Sequence, residues 1–216
     1  RIPPNTDDKI ITSWNALAVV AFAQAGRIFK NEVYVEAAQS AIDFILKNLI
    51  MQDGRIMRTW NQGKANQRGT LEDYAGLILA LHQLYEVDFS VETFRKMLTI
   101  YQNMQAAFSA EDAMYNDTAQ DVPHLILQPR NVQDNATPSG NALACHVHWL
   151  LNQLEGTPEH AEYISKALSR FSEMMQQHPT SFGYWLKVAD LLSHPTLQVA
   201  LMSTAKGRWY AAIASS

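Results

Sequence analysis

An all-α fold arranged as an (α/α) toroid is predicted by three observations. Helices that are apolar on nearly every face alternate with helices that carry one apolar stripe, the alternation repeats along the chain, and successive pairs are separated by long links. The first segment, about Ser13 to Ala25, is apolar almost all round, whereas about Val33 to Leu49 shows a stripe at Tyr34, Ala38, Ala41, Ile45 and Leu49. The first is expected to be buried on all sides and the second on one. The pair recurs as about Leu71 to Tyr85, broadly apolar, and about Val91 to Ala107, with its stripe at Phe94, Leu98, Tyr101 and Met104. It recurs again as Ser139 to Leu154 and Glu159 to Met175, the latter with Ile164, Leu168, Phe171 and Met175 on one face. About Phe182 to Leu192 opens a fourth pair. Inner helices of a toroid touch neighbours on every side and outer helices face water, which is this pattern. A helical solenoid is the competing architecture, but its repeats run about 33 to 47 residues, and here the inner helices begin near 13, 71 and 139.

The links are asymmetric. Inner-to-outer connections are short ("GRIFKNE", "EVDFS", "EGTPE"), while outer-to-inner ones, about Ile50 to Thr70 and Phe108 to Pro138, are long enough to serve function. The long links hold an Asp-Gly turn ahead of "RIMRTW" and the strand-like "HLILQP" (His124 to Pro129), so short β segments are expected on that rim.

Composition removes several classes of function. At 216 residues, 47% hydrophobic and 18% charged, the chain has the make-up of an ordinary globular protein. A net charge of -4 with no Lys/Arg cluster argues against nucleic acid, whose phosphates require a basic face. The longest apolar run, Ala16 to Ala25, is too short for a bilayer span of about 20 residues, so no membrane partner is expected. Cys145 is the single cysteine, which excludes an intrachain disulfide framework and suggests a reducing, cytoplasmic setting. The opening "RIPPNTDDK" has neither an initiator Met nor a signal-like segment, consistent with a piece of something longer.

If the inner helices run parallel, their N-termini gather at one end beside the long loops. Three polar clusters meet there: "DDKIITSWN" (Asp7 to Asn15), "GTLEDY" (Gly69 to Tyr74) and "DNATPSGN" (Asp134 to Asn141). A single cap needs one Ser, Thr, Asp or Asn, so the surplus around Ser139 is expected to form the lip of a shared cavity as well. The ordered series "DDKIITSWNAL", "DGRIMRTW", "LEDYAGLILALHQLYE" and "DNATPSGNALA" resembles the C-terminal part of the YyaL-type proteins, the spermatogenesis-associated protein 20 family, over roughly Arg1 to Ala200. The resemblance implies a thioredoxin-like domain, absent from this chain, followed by a toroid of the six-hairpin-glycosidase type related to sugar epimerases and hydrolases. Residues 1–216 would then form a single partial toroid domain of about three and a half hairpins. The pattern departs at Ala16 and Asn135, where the family has Gly, and after Met202.

The resemblance makes a carbohydrate-active toroid the leading functional expectation, with a non-catalytic scaffold working with a thioredoxin-like domain as the alternative. Candidate acids and bases are Glu72, Asp73, Asp8 and Asp134, because glycosidases use a carboxylate pair across the scissile bond. Thr70-Leu-Glu-Asp also resembles a capping box with Asp in the Glu/Gln place, so cap and catalyst are both open for Glu72 and Asp73. Asp7 and Asp8 beside Lys9 fit an ion-paired loop equally well, and an Arg130 to Asp134 ion pair would pin the third loop. Trp14, Trp60 and Tyr74 offer faces for sugar stacking, although core burial is expected for Trp14 and Tyr74. Asn15, Asn141 and Ser139 complete the ligand candidates. Ser139 reads as a cap, since GxSxG is absent. His146 and His148, two apart, lie on different helix faces, so neither a metal nor another cofactor is implied. Cys145 reads as a small buried apolar side chain. A toroid cut short would leave Ala18, Val19 and Phe22 at an open edge, available for self-association.

Overall fold

The computed structural model describes residues 7–110, 112, 114–122 and 127–194. It contains helices α1 (Thr12–Phe29), α2 (Glu32–Asn48), α3 (Leu71–Asp88), α4 (Val91–Phe108), α5 (Gly140–Glu155), α6 (Pro158–Gln177) and α7 (Gly183–Ser193). Three short strands, β1 (Ile10–Ile11), β2 (Met57–Asn61) and β3 (Lys64–Arg68), form an antiparallel sheet in the order β1-β2-β3.

Each hairpin is made by the same local chemistry. α1 ends at Lys30 and α3 at Phe89, both with φ of 52°, while α5 ends at Gly156 with φ of 66°, so each inner helix closes on a left-handed residue. The next outer helix then starts at once: the Asn31 side chain accepts from Val33 N–H, the Ser90 hydroxyl accepts from Thr93 N–H, and Pro158 occupies the first turn of α6. α1, α3, α5 and α7 pack in that order as an inner arc, with α2, α4 and α6 outside their own partners. The arc is a segment of an (α/α) toroid, as the alternation of helices predicts.

Burial follows position in the arc. α3 lies between α1 and α5, and Leu71, Leu77, Ile78 and Leu81 are enclosed around its whole circumference. α4 and α6 bury one face each, through Met97, Ile100, Met104 and Phe108, and through Ile164, Phe171 and Met175. Phe94, Leu98 and Tyr101 stand half-buried at the margin of that α4 face. α1 is the correction. Its sequence predicts burial on every side, yet only Ala16, Val19, Ala23 and a few small or polar neighbours are enclosed. Trp14 is 58% exposed and Phe29 71%. Among the described residues α1 has an inner neighbour on one side only, so the apolar residues facing the other way are left uncovered. Ala18 and Phe22 belong to that open face, whereas Val19 turns inward.

In the first long link, β2 and β3 are joined by a two-residue turn in which Gln62 and Gly63 have φ of 48° and 79°. The second behaves differently: residues 124–126 of the strand-like "HLILQP" lie outside those described, and residues 127–129 form no strand. The segment after Met202 also lies outside the described residues.

Candidate functional site

The N-termini of α1, α3 and α5 converge, and Asp73 is the hub that joins two of them. Its side chain has no solvent exposure. One oxygen accepts from Ser13 N–H at the start of α1 (2.9 Å); the other accepts from Thr70 N–H (2.8 Å), the Thr70 hydroxyl (3.1 Å) and Arg58 Nη1 on β2 (3.1 Å). The capping box anticipated at Thr70 is formed. Burial pushes the Asp73 carboxyl above its usual range, opposed by the bonds from Thr70 and the charge of Arg58. With every oxygen engaged, Asp73 is a bracket between α1, β2 and α3.

Glu72, one residue earlier, faces the other way. It pairs with Arg58 Nη2 at 2.7 Å and lines a cavity of about 230 Å³. The remaining wall comes from Arg58, Thr70, Asp117, and residues 131–140 by way of Asn131, Gln133, Asn135, Thr137 and Ser139. Gly140 makes the closure of α3 on α5 possible: a Cβ there would stand 3.1 Å from Glu72 N and from the Leu71 side chain. The carboxylate opposite is Asp117. Its backbone is clamped by Leu71 N–H (3.0 Å) and by Pro129 C=O (2.9 Å), and its Oδ2 accepts from Asn131 N–H at 2.6 Å. Burial, chiefly, raises the Asp117 carboxyl above its usual range, and the nearby Glu72 charge adds to that rise.

The other sequence candidates are spread more widely than the three-cluster picture requires. Ser13 reaches Glu72 through its hydroxyl (3.4 Å), but Asp7, Asp8, Lys9, Trp14 and Asn15 do not line the cavity. Asp7 pairs with Lys9 (3.2 Å), Asp8 accepts from Asn61, and Asn15 donates back to Ile11 C=O. Trp14 is exposed on the open face of α1 and not in the core, a correction that follows because no described helix packs on that side of α1. Tyr74 is buried as anticipated, its hydroxyl accepting from Ile56 N–H, and Trp60 packs edge-on against Phe44. Asp134 does not pair with Arg130. It accepts from Ser139 N–H (2.9 Å) and Tyr184 N–H (2.7 Å), tying α5 to α7, while Arg130 binds Asp112 (2.6 Å) and Asn116 (3.0 Å). Asn141 is fully buried and holds Tyr115 through both its backbone groups. Ser139 caps α5 and also lines the cavity.

Sequence reasoning missed Asp117 and Arg58 as site residues. Arg58 stood in a noted motif beside the strand; Asp117 sits in an Asn-Asp-Thr turn whose partners lie far along the chain, so only a turn signal marked it. A second cluster was equally invisible: His148 Nδ1 lies 3.0 Å from His160 Nδ1, His148 Nε2 contacts the Tyr115 hydroxyl at 2.8 Å, and His160 Nε2 meets Glu155 at 3.3 Å. His146 turns away to the Tyr184 hydroxyl (2.8 Å), as the two-residue spacing predicts. Among the described residues no group of three or more His, Cys, Asp or Glu is placed to hold a metal ion. Cys145 is buried, and desolvation pushes its thiol up to about 12. No described helix is long and apolar enough to cross a membrane.

No family model matches the chain. It is 27% identical to spermatogenesis-associated protein 20 of Homo sapiens and 28% identical to that of Rattus norvegicus, each match covering 93% of this chain and 27% of the relative. An uncharacterized protein of Caenorhabditis elegans is 24% identical over 83% of this chain. The resemblance read from the motifs therefore holds over nearly the whole chain, which spans about a quarter of the length of these relatives. Among solved structures, cellobiose 2-epimerase from Spirochaeta thermophila superposes with a TM-score of 0.61 and 15% identity, over 78% of this chain and 44% of that one. A D-mannose isomerase gives 0.60 at 16% identity over 73% and 39%, and an unsaturated glucuronyl hydrolase from Bacillus sp. GL1 gives 0.55 at 18% over 77% and 47%. These likenesses show the toroid fold.

Proposed function

We propose that this chain supplies one wall of a carbohydrate-active toroid, glycosidase-like or epimerase-like, and that its site is the cavity between the N-termini of α3 and α5. The observation that carries the reading is that two carboxylates from different segments, Glu72 and Asp117, line that one cavity among amide and hydroxyl side chains. Asp117, whose burial favours the protonated form, suits the proton donor to a sugar oxygen. Glu72, held in place by Arg58, suits the base or charge-stabilising partner. The volume is below the roughly 300–1,000 Å³ of sites that enclose a drug-sized ligand, so it fits one ring of a sugar. Asp73 and Asp134, both fully engaged by backbone N–H groups, support this site from behind, and Asp8 lies outside it. The curated relatives are much longer than this chain, and several structural neighbours are named for action on sugars; both facts support a toroid wall that works within a larger protein, and the single cysteine supports a cytoplasmic, reducing setting for it. A panel of mono- and disaccharides tests the reading by calorimetry and by NMR detection of turnover. Glu72→Gln and Asp117→Asn should each lower turnover by about 100-fold or more with little change in melting temperature. Neither binding nor turnover with any sugar would overturn it.

A second reading, a protein-interaction domain, rests on a separate observation: Trp14, Phe22, Ile28 and Phe29 are exposed together along α1. In that reading the open face receives a thioredoxin-like domain, and titrating such a domain from a longer relative against the chain tests it. Absence of association at concentrations of about 100 μM, where even weak interfaces are populated, would dismiss it.

A further inference from the structure

We infer that the ligand of this site is a neutral or cationic sugar and not a uronate or sugar phosphate, because the one cationic side chain lining the cavity is already held by two carboxylates. The inference rests on the sugar-site reading above. Recognition of a carboxylate or phosphate calls for a guanidinium or ammonium with free N–H groups. Three of the five N–H groups of Arg58 are engaged by its neighbours, Nη1 by the Thr70 hydroxyl (2.8 Å) and Asp73 (3.1 Å) and Nη2 by Glu72 (2.7 Å), and its single charge is offset by these two carboxylates. Arg130 lies outside the lining and is held by Asp112 and Asn116. The start of α5 contributes positive partial charge, about half an elementary charge for a whole helix end, but the Asp134 carboxylate already takes Ser139 N–H and the Ser139 hydroxyl takes Ala142 N–H. Glu72 and Asp73 therefore hold the single guanidinium of a cavity that Asp117 also lines. The rest of the lining, Asn131, Gln133, Asn135, Thr137 and Ser139, offers the mixed donors and acceptors that hydroxyl groups require.

Glu72 is thus a gate on ligand charge as well as a candidate acid–base group. Binding of mannose, cellobiose, glucuronate and glucose 6-phosphate to the 216-residue chain is to be compared by calorimetry at pH 7.5 and fixed ionic strength, with the Glu72→Gln variant alongside. The native chain should bind the neutral sugars about tenfold or more tighter than the acidic ones. Glu72→Gln removes the negative charge that offsets Arg58 while keeping an acceptor beside Nη2, and glucuronate affinity should rise by about tenfold or more, the worth of one charge-assisted hydrogen bond. Equal or tighter binding of glucuronate by the native chain overturns the inference and leaves the sugar site standing. A folded Glu72→Gln variant with no gain for glucuronate overturns it too, since Arg58 would then not be what Glu72 withholds. The native-chain comparison decides the matter even where the variant does not fold. Binding of none of the four ligands removes the sugar reading and this inference with it.

Discussion

Asp73 and Glu72 are adjacent carboxylates with opposite duties, and the division follows from helix geometry. Successive residues on a helix point about 100° apart, so the third residue of the first turn reaches back to its own cap while the second reaches sideways. Removing Asp73 strands Ser13 N–H and Thr70 N–H and leaves Arg58 short of a buried partner. Asp73→Ala should therefore cost about 3 kcal/mol or more, read from urea unfolding, whereas Glu72→Gln, at a pair that keeps some contact with water and an acceptor for Arg58, should cost about 1 kcal/mol or less. Equal costs would show that the two carboxylates share one role. The His148 network yields a pH prediction. Glu155 accepts only, so His160 Nε2 donates to it, His160 Nδ1 accepts from His148 Nδ1, and His148 Nε2 accepts from the Tyr115 hydroxyl. Burial holds His148 neutral, its pKa lowered to about 3 from an ordinary 6.5. The unfolded chain binds more protons than the folded one between those values, so the stability this residue supports is present above about pH 6.5 and is lost as pH falls toward 3. His148→Gln should flatten the urea midpoint against pH over that window; an unchanged slope would assign the acid sensitivity to other groups. At this scale the capping box was legible because its spacing is local. Asp117 and the His148–His160 pair were not, because contacts made across 12 residues or more leave no mark in a short window.

Helix placement was the most legible part of the sequence, because a 3.6-residue apolar period and its caps are written within each segment. What escaped is where a terminus depends on one backbone torsion: "GRIFKNE" reads as a link, yet α1 runs on to Phe29 and turns only at Lys30, an unexceptional residue in a left-handed conformation. The joints between elements are tighter than composition suggests. At Gly69, between β3 and α3, a Cβ would lie 2.7 Å from the carbonyl oxygen of Ile56, and Gly69 N–H donates to that same oxygen at 2.8 Å. The approach is backbone against backbone, so a side chain cannot swing aside to relieve it. Gly69→Ala should cost about 1–3 kcal/mol, visible as a lower melting temperature. It should also loosen the Thr70 cap and hence the Arg58–Glu72 geometry, so that sugar binding weakens along with stability. A variant as stable as the native chain would mean that the strand-to-helix joint has slack.

The whole molecule is an arc with two ends, and its ends are unlike. At one, α7 rests on α5 and α6 and buries Trp185 and Val188; at the other, α1 has α2 and α3 on one side and, among the described residues, no helix packed on the next. The alternation of buried and striped helices told that α1 belongs to the inner layer, but an apolar all-round helix carries the same signal whether or not its last neighbour is present. Trp14, Ala18, Phe22 and Phe29 therefore line an uncovered face, extended onto α2 by Val33 and Tyr34, with Phe22 and Tyr34 in ring contact at 5.8 Å. Contiguous apolar patches beyond roughly a few hundred Å² mark contact surfaces in soluble proteins. The isolated 216-residue chain is expected to self-associate through this face, giving a mass above the monomer in light scattering that falls on dilution. Phe22→Glu with Phe29→Glu should return it to the monomer with only a small fall in melting temperature, because Phe29 is mostly in water and Phe22 gives up little beyond its ring contact with Tyr34. Trp14→Ala should likewise leave stability nearly unchanged, where a buried tryptophan would cost about 3–5 kcal/mol. A native chain that stays monomeric at every concentration would show that α1 tolerates this exposure without a partner, and a Trp14→Ala variant that melts far earlier would place the indole in a core that the arc does not provide.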